Sequence, residues 1–197
     1  MYYHATNVKG ITQLVPSVSS NLKPLVYFTT KRENSLVYLT NAVEKYCKEI
    51  GYQHTGRYYK WNSYGFDVSG KLILWEYWPD AMKETYAGMA GYIYYTANIP
   101  TENAINGIPF GVSCSESVQI DGFEYVPDAY EALQEAAERG LICIRNYHEN
   151  SEKKIEQIRR LVQREYMTAQ QFPEYKLFLE AKFADILALE KMERFAE

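Results

Sequence analysis

The chain reads as an α+β fold: a β-rich region over residues 1–127, then a helical region over 128–197. Three observations predict this. Short β-branched and aromatic runs, punctuated by Gly and Pro, fill the first region. Composition shifts at Pro127-Asp128. Beyond it, apolar residues recur three and four positions apart, which places them on one face of a helix. The helical region is expected to pack on the β-rich one, and 197 residues are enough for one structural unit with a full core.

The elements follow in order. Residues 2–6 open as a strand, and 8–18, broken by Gly10 and Pro16, read as irregular. Pro24 precedes a buried strand at 25–29, and Lys31-Arg32-Glu33-Asn34 marks a turn. Thr30 or Asn34 offers a cap for one helix carrying Leu36, Val37, Leu39, Ala42, Val43, Tyr46 and Ile50, which Gly51 ends. Residues 52–96 are β-rich. Ser69-Gly70 joins 65–68 to 71–77 as a tight hairpin, and 91–97 is a strand carrying Tyr92, Ile93, Tyr94 and Tyr95. Residues 81–89 read as a short helix or loop. Residues 111–120 alternate as a strand that includes Glu116, and Asp121-Gly122 turns into 123–126. Asp128 caps a helix that Gly140 stops, and Asn150-Ser151 caps a second from Glu152 to about Met167. Pro173 begins a third, with Leu177, Leu179, Phe183, Ile186, Leu187 and Met192 as its apolar positions. Its stripe of Leu179, Phe183, Ile186 and Leu187 is expected to bury against the β-rich part or a second copy, giving a homodimer through this helix.

Net charge is -4 and the pI is about 5.5, so no long-range field draws the chain to nucleic acid or an anionic membrane. Most of the negative charge sits in the helical region. Lys153-Lys154 and Arg159-Arg160 interleave with Glu152 and Glu156, the pattern of a solvated, ion-paired face. Cys47, Cys114 and Cys143 form no CxxC pair, which fits unreactive thiols in a reducing compartment. No signal peptide and no membrane-length apolar run is expected, so the cytoplasm is the default address. His4, His54 and His148 lie far apart, so no metal site is expected. The chain carries no GxxxxGK[ST], GxGxxG or GxSxG motif. Tyrosine is the compositional outlier, with 19 residues against 8 Phe and 3 Trp. Tyr-rich chains suit partly wet pockets, because each ring has an apolar body and a polar tip.

The candidate chemistry lies in the first forty residues. His4 and Thr6 share one face of the opening strand, because strand side chains alternate. Tyr27 sits on the second strand, and Tyr38 lies eleven positions later on the expected helix. One polar anchor between two aromatic walls suits a flat, charged ring such as nicotinamide.

His-x-Thr on a first strand followed by Tyr-x10-Tyr resembles the His–Tyr–Glu class of the ADP-ribosyltransferase superfamily, the diphtheria-toxin and poly(ADP-ribose) polymerase type, in a bacterial-like member. The resemblance covers about a fifth of the chain, plus one Glu. It implies split antiparallel sheets with flanking helices and NAD as substrate. By that resemblance His4 holds a ribose hydroxyl, Ala5 offers backbone hydrogen bonds to the nicotinamide carboxamide with Thr6 nearby, and Tyr27 and Tyr38 sandwich the ring. The two tyrosines are then expected to face one cavity with His4 at its edge. A Glu completes the site by stabilising positive charge developing at the ribose. Glu116 is the first choice, Glu124 the second and Glu76 the third. Ala5 departs from the family, where Gly commonly follows the His, and no Gln-x-Glu or Glu-x-Glu pair is present.

The implied activity is transfer of ADP-ribose to a protein or nucleic-acid acceptor with release of nicotinamide. Two alternatives share the fold: a catalytically inactive domain that binds a nucleotide or a protein, and an RNA 2′-phosphotransferase-like enzyme. The near-neutral first 127 residues count against RNA, whose backbone needs basic partners.

Overall fold

The computed structural model describes residues 1–18, 23–56, 59, 61 and 64–188. It is mixed α+β, with antiparallel sheets and several helices. In chain order come β1 (Tyr2–Thr6), β2 (Gln13–Leu14), β3 (Ser17–Val18), β4 (Pro24–Thr29) and α1 (Arg32–Ser35). A 3-10 turn at Leu36–Tyr38 leads to α2 (Ala42–Glu49), β5 (Tyr64–Phe66), β6 (Leu72–Trp75), α3 (Ala81–Tyr86) and β7 (Gly91–Thr96). Then follow β8 (Asn103–Ala104), β9 (Gly111–Cys114), β10 (Val118–Gln119), β11 (Gly122–Val126) and α4 (Ala129–Glu138). The last are β12 (Cys143–Arg145), α5 (Glu152–Ala169) and α6 (Pro173–Lys182).

Two compact units divide the chain. One takes Met1–Thr40, Tyr64–Leu74 and Met82–Ile144; the other takes Asn41–Ser63, Trp75–Ala81 and Arg145–Glu197.

The first unit is built on a sheet of order β11-β7-β1-β4-β9-β8, with β3 also on β4. Its neighbours run antiparallel. Alternation sends side chains to two faces, and each face buries its own cluster. On one, Ala5, Ile93 and Val126 pack with Leu36, Val37 and Leu39, and with Leu133 and Ala136 of α4. On the other, Val26, Phe28, Val112 and Cys114 pack with Leu14 and Val118. The Asp128 side chain caps α4 as expected, accepting from the amides of Tyr130 and Glu131, and Gly140 follows at φ 71. The hairpin also forms, with Tyr64↔Leu74 and Phe66↔Leu72 in register around Ser69-Gly70.

The second unit holds α2, α5 and α6. Leu179, Phe183 and Leu187 are buried in its core with Phe178, Tyr175, Trp61 and Trp78, and Ile186 packs against them. The expected stripe is therefore buried, but its partners are the residues of α2 and α5 and the aromatic side chains of this unit, not a sheet. Met192 lies outside the described residues. Ser151 caps α5, and Pro173 opens α6 at a position where a missing N–H costs nothing.

Two expected elements are split. The single helix from 36 to 50 is instead α1, a 3-10 turn and α2. Neither Thr30 nor Asn34 caps α1; Lys31 stands there without a side-chain bond. Asn41 makes the break, since its extended backbone and its side-chain bond to the Val43 amide (3.0 Å) start a new helix. The single strand from 111 to 120 is β9 and β10. Gly111–Cys114 pairs with β4 and Val118–Gln119 pairs with β2, so the chain bends at Ser115 and Glu116 to change partners. Glu116 is on that bend and not on a strand.

Candidate functional site

β1 is paired with β7 along its length, from Tyr2↔Thr96 to Thr6↔Tyr92. With β4 it shares the pair Tyr3↔Thr29, and beyond that pair the imidazole of His4 takes the place of the ladder. His4 Nδ1 lies 2.8 Å from the backbone oxygen of Tyr27. A carbonyl only accepts, so Nδ1 carries the hydrogen and donates it. Burial pushes the pKa of His4 below its ordinary value, against a smaller opposing effect from the Tyr27 carbonyl. The ring is therefore neutral at pH 7, and Nε2 presents a lone pair. Nε2 has no partner among the described residues. The ring meets Phe28 edge-on at 6.0 Å between centroids, which fixes its plane.

Ala5 turns its methyl to the opposite face and is 7% exposed, packed in the core with Leu36, Val37 and Ile93. The hydroxyl of Thr6 accepts from the Val8 amide at 3.3 Å, closing the end of β1. Tyr27 is half-buried on β4 opposite Ser113. Tyr38 is 43% exposed and ends the 3-10 turn. Its hydroxyl lies 2.9 Å from that of Tyr64, and the two rings meet edge-on at 6.0 Å.

Tyr64 in turn lines an open cleft of about 980 Å³, together with Phe66, Asp67, Glu102 and Phe110. His4, Tyr27 and Tyr38 are not among its lining residues. Phe110 is held at φ 63, an uncommon conformation for a bulky residue. Two contacts fix it: its carbonyl accepts from the Thr30 amide at 2.9 Å, and Lys31 Nζ lies 4.0 Å from the ring centroid. His4 and Tyr27 are thus brought together at a strand seam, while Tyr38 stands with Tyr64 beside the cleft.

The carboxylates differ in placement. Glu116 is exposed and accepts from the Thr101 hydroxyl. Gly111 and Val112 of β9 line the cleft, and so does Glu102, the neighbour of the Thr101 that bonds Glu116. Cys114 is about 10 Å along β9 from Gly111, and Glu116 lies beyond it. Glu124 sits on β11 opposite Ile93, and Ile93 sits opposite Ala5. Glu124 therefore shares a face with Ala5, two strands or about 10 Å away. Arg32 on α1 grips it with both ends of the guanidinium: Nε donates to Oε2 at 2.8 Å and Nη2 to Oε1. That pairing holds the Glu124 carboxyl below its usual range and raises Arg32. Glu76 is 8% exposed and accepts from the Tyr147 amide at 3.0 Å, a bond within the second unit.

Three residues join this neighbourhood without having been singled out in the sequence. Arg32 and Tyr64 gave no signal, because their partners lie 92 and 26 residues away. The sequence marks Asn34 only as a turn residue or a helix cap. It is 5% exposed, and both its side-chain nitrogen and its oxygen are buried without a partner. Its helix α1 packs on β1 and β4, the two strands of the seam.

Among the described residues, no group of three or more His, Cys, Asp or Glu could hold a metal ion, and no helix is long and apolar enough to cross a membrane. No family model matches the chain, and neither a curated protein nor a solved structure matches it.

Proposed function

We propose that the first unit is an NAD-binding domain of the ADP-ribosyltransferase type, on the split-sheet fold of that superfamily. It cleaves the nicotinamide–ribose bond and passes ADP-ribose to a protein or nucleic-acid acceptor. His4 carries this reading. Its imidazole stands where β1 and β4 part, neutral, with its tautomer fixed by the Tyr27 carbonyl and its Nε2 without a partner among the described residues. A fixed neutral acceptor at a strand seam suits a ribose hydroxyl, which donates one hydrogen bond. The family's second tyrosine falls on Tyr38, whose ring is fixed by Tyr64 at the edge of an aromatic cleft.

For the carboxylate, Glu124 is better supported than Glu116. Arg32 keeps it ionised, and it stands on the face of Ala5, opposite the side chain of His4. Glu116 is exposed on a bend beyond the far end of β9. An anion near the ribose opposes the positive charge that develops as nicotinamide leaves.

One observation favours a second reading, in which the domain binds the nucleotide without cleaving it. The Arg32 guanidinium neutralises the Glu124 charge that transfer would need. Nicotinamide release from NAD, measured beside calorimetric binding, separates the two. The expected result is binding and release by the wild type, loss of release with retained binding in Glu124→Gln, and unchanged release in Glu116→Gln. Binding without release in the wild type, with acceptors supplied, establishes the second reading. No binding of NAD ends both.

A further inference from the structure

We propose that the free edge of β11 is a docking site for an extended basic segment of a partner protein, one whose residues alternate between Lys or Arg and apolar side chains. The segment adds a strand to the sheet. This surface is separate from the His4 seam, and binding to it needs no nucleotide.

β11 ends the sheet order, so among the described residues it has a strand neighbour, β7, on one side only. The opposite edge of the sheet is β8, blunted by its length of two residues. β11 has five, Gly122–Val126, and each is in unbroken register with β7. Strand edges are ordinarily protected by shortness, by Lys or Pro, or by a bulge, because free N–H and C=O groups pair with another extended chain. β11 contains none of these. Its one charged side chain, Glu124, is held by Arg32. It carries instead Phe123 and Tyr125, each 54% exposed.

The two faces of β11 offer different chemistry. Phe123 and Tyr125 share the face of Tyr94 and Tyr92, their partners on β7. Tyr92 touches both, with ring centroids 5.6 Å from Phe123 and 5.3 Å from Tyr125. Glu124 stands on the other face with Ile93, which packs with Leu133 of α4. On that side a groove of about 340 Å³ lies between β11 and α4. Its lining carries five carboxylates against one basic side chain, Arg32. Asp128 is occupied in capping α4 and Glu124 is paired with Arg32. Glu131, Glu135 and Glu138 remain, all exposed and spaced four and three apart on one face of α4. Arg139 stands 3.6 Å from Glu135, a well-exposed pair that screening leaves weak.

A strand laid along β11 sits about 4.8 Å from it and sends alternate residues to the two faces. One set meets the aromatic rings and the other meets the acidic groove. Main-chain hydrogen bonds give such a strand its affinity, and the sites for alternate side chains give it specificity. Charge decides the occupant. Antiparallel pairing of β11 with β11 of a second copy places residues of the same face opposite one another, so two acidic grooves adjoin and repel. Lys and Arg on alternate residues of a partner complement the groove instead.

The test uses the full chain and a fluorescent peptide of about eight residues alternating Lys and Val, long enough to span β11. The controls are the same composition in two blocks and an alternating Glu and Val peptide. Binding is read by anisotropy, and its place by hydrogen exchange with and without peptide. The alternating basic peptide is expected to bind roughly tenfold or more tightly than either control, to slow exchange at residues 122–126, and to weaken as salt rises. Glu131→Gln, Glu135→Gln and Glu138→Gln combined keep helix-forming side chains and are expected to weaken it roughly tenfold. Phe123→Thr with Tyr125→Thr keeps strand formers and is expected to weaken it several-fold. Equal binding of the block peptide shows general charge attraction and overturns strand addition. Equal binding by either variant, or no binding at about millimolar peptide, also overturns the proposal. So does a wild-type dimer in sedimentation that the Thr variant dissolves, since a second copy then holds the edge. Should the Thr variant fail to fold, the Gln variant, altered only at exposed positions, still decides. None of these outcomes bears on the NAD reading.

Discussion

Asn34 in the first unit and Glu174 in the second are buried to nearly the same degree, 5% and 3% exposed, and are served in opposite ways. Glu174 Oε1 accepts from the Thr55 hydroxyl at 2.5 Å and from Tyr59 at 2.9 Å. Beside it, Tyr175 donates to Glu165 at 2.8 Å, accepts from the Trp61 ring nitrogen at 2.6 Å, and stacks on Tyr59 with centroids 4.5 Å apart. Burial pushes the Tyr175 phenol far up, so it stays protonated and keeps donating. Asn34 has none of this. A satisfied polar network stiffens a core, whereas an unsatisfied buried group costs stability. The second unit ties Glu174 into its structure, whereas in the first unit Asn34 and Thr40 carry buried polar atoms without a partner among the described residues, beside the bonded Thr29, Ser35, Thr96 and Ser113. The second unit does have one such atom among the described residues, His54 Nε2, but that ring is only half-buried and its other nitrogen accepts from the Gly56 amide at 3.1 Å.

The contrast breaks most visibly at Glu174. Glu174→Ala removes a buried carboxylate that accepts from two hydroxyls, that of the buried Tyr59 and that of Thr55 at the surface. The expected loss is about 3 kcal/mol, read from the midpoint of urea unfolding. NAD affinity per folded molecule should not change. A loss under about 1 kcal/mol would mean that the network is not a structural one, and the comparison with Asn34 would lose its anchor.

The unequal legibility of the sequence follows the same division. The α4 and α5 starts were readable because Asp128 and Ser151 cap within three residues of themselves. The α6 stripe was readable because Leu179, Phe183 and Leu187 repeat at the helical period. The break at Asn41 was not, since Ala42, Val43 and Tyr46 continue the same period on both sides of the cap. The bend at Glu116 was hidden for a similar reason: Val118 keeps the alternation while pairing with a different strand from Cys114. In the site, His4, Tyr27 and Tyr38 were legible from residue type and spacing. Their surroundings were not. The Arg32–Glu124 grip and the Tyr38–Tyr64 pair join residues 92 and 26 positions apart, and Asn34 looks like any turn residue until its burial is known.

A middle-sized effect is expected at His4. Its native pKa is lowered, so the folded state binds fewer protons there than the unfolded state. Stability from the neutral ring is therefore fully present above the ordinary histidine value of about 6.5 and is lost as pH falls through it toward the lowered native value. Thermal melts between pH 7 and pH 5 should show the decline. His4→Asn keeps a donor for the Tyr27 carbonyl but does not titrate, and should reduce the slope. His4→Ala also loses the bond, at a cost of about 1 kcal/mol. An identical pH slope in wild type and His4→Asn would show that other groups carry it.

The smallest change in stability, and the most informative one about chemistry, belongs to Arg32. The pair with Glu124 is 37% and 45% exposed, so screening leaves it less than about 1 kcal/mol. Glu124 is held below its usual range, so that contribution is present above the ordinary carboxylate value and is lost as pH falls through the native one. Arg32→Ala should therefore melt almost like the wild type at pH 7, and its acid-side curve should lose this contribution. If Glu124 is the carboxylate that faces the ribose, removing the guanidinium leaves its full charge for the leaving step, and nicotinamide release should rise several-fold. A fall in stability beyond about 2 kcal/mol would instead make the pair a structural tie between α1 and β11. Release that stays at zero in Arg32→Ala, with NAD bound, would leave Glu124 as a surface carboxylate and the first unit as a domain that holds NAD without cleaving it.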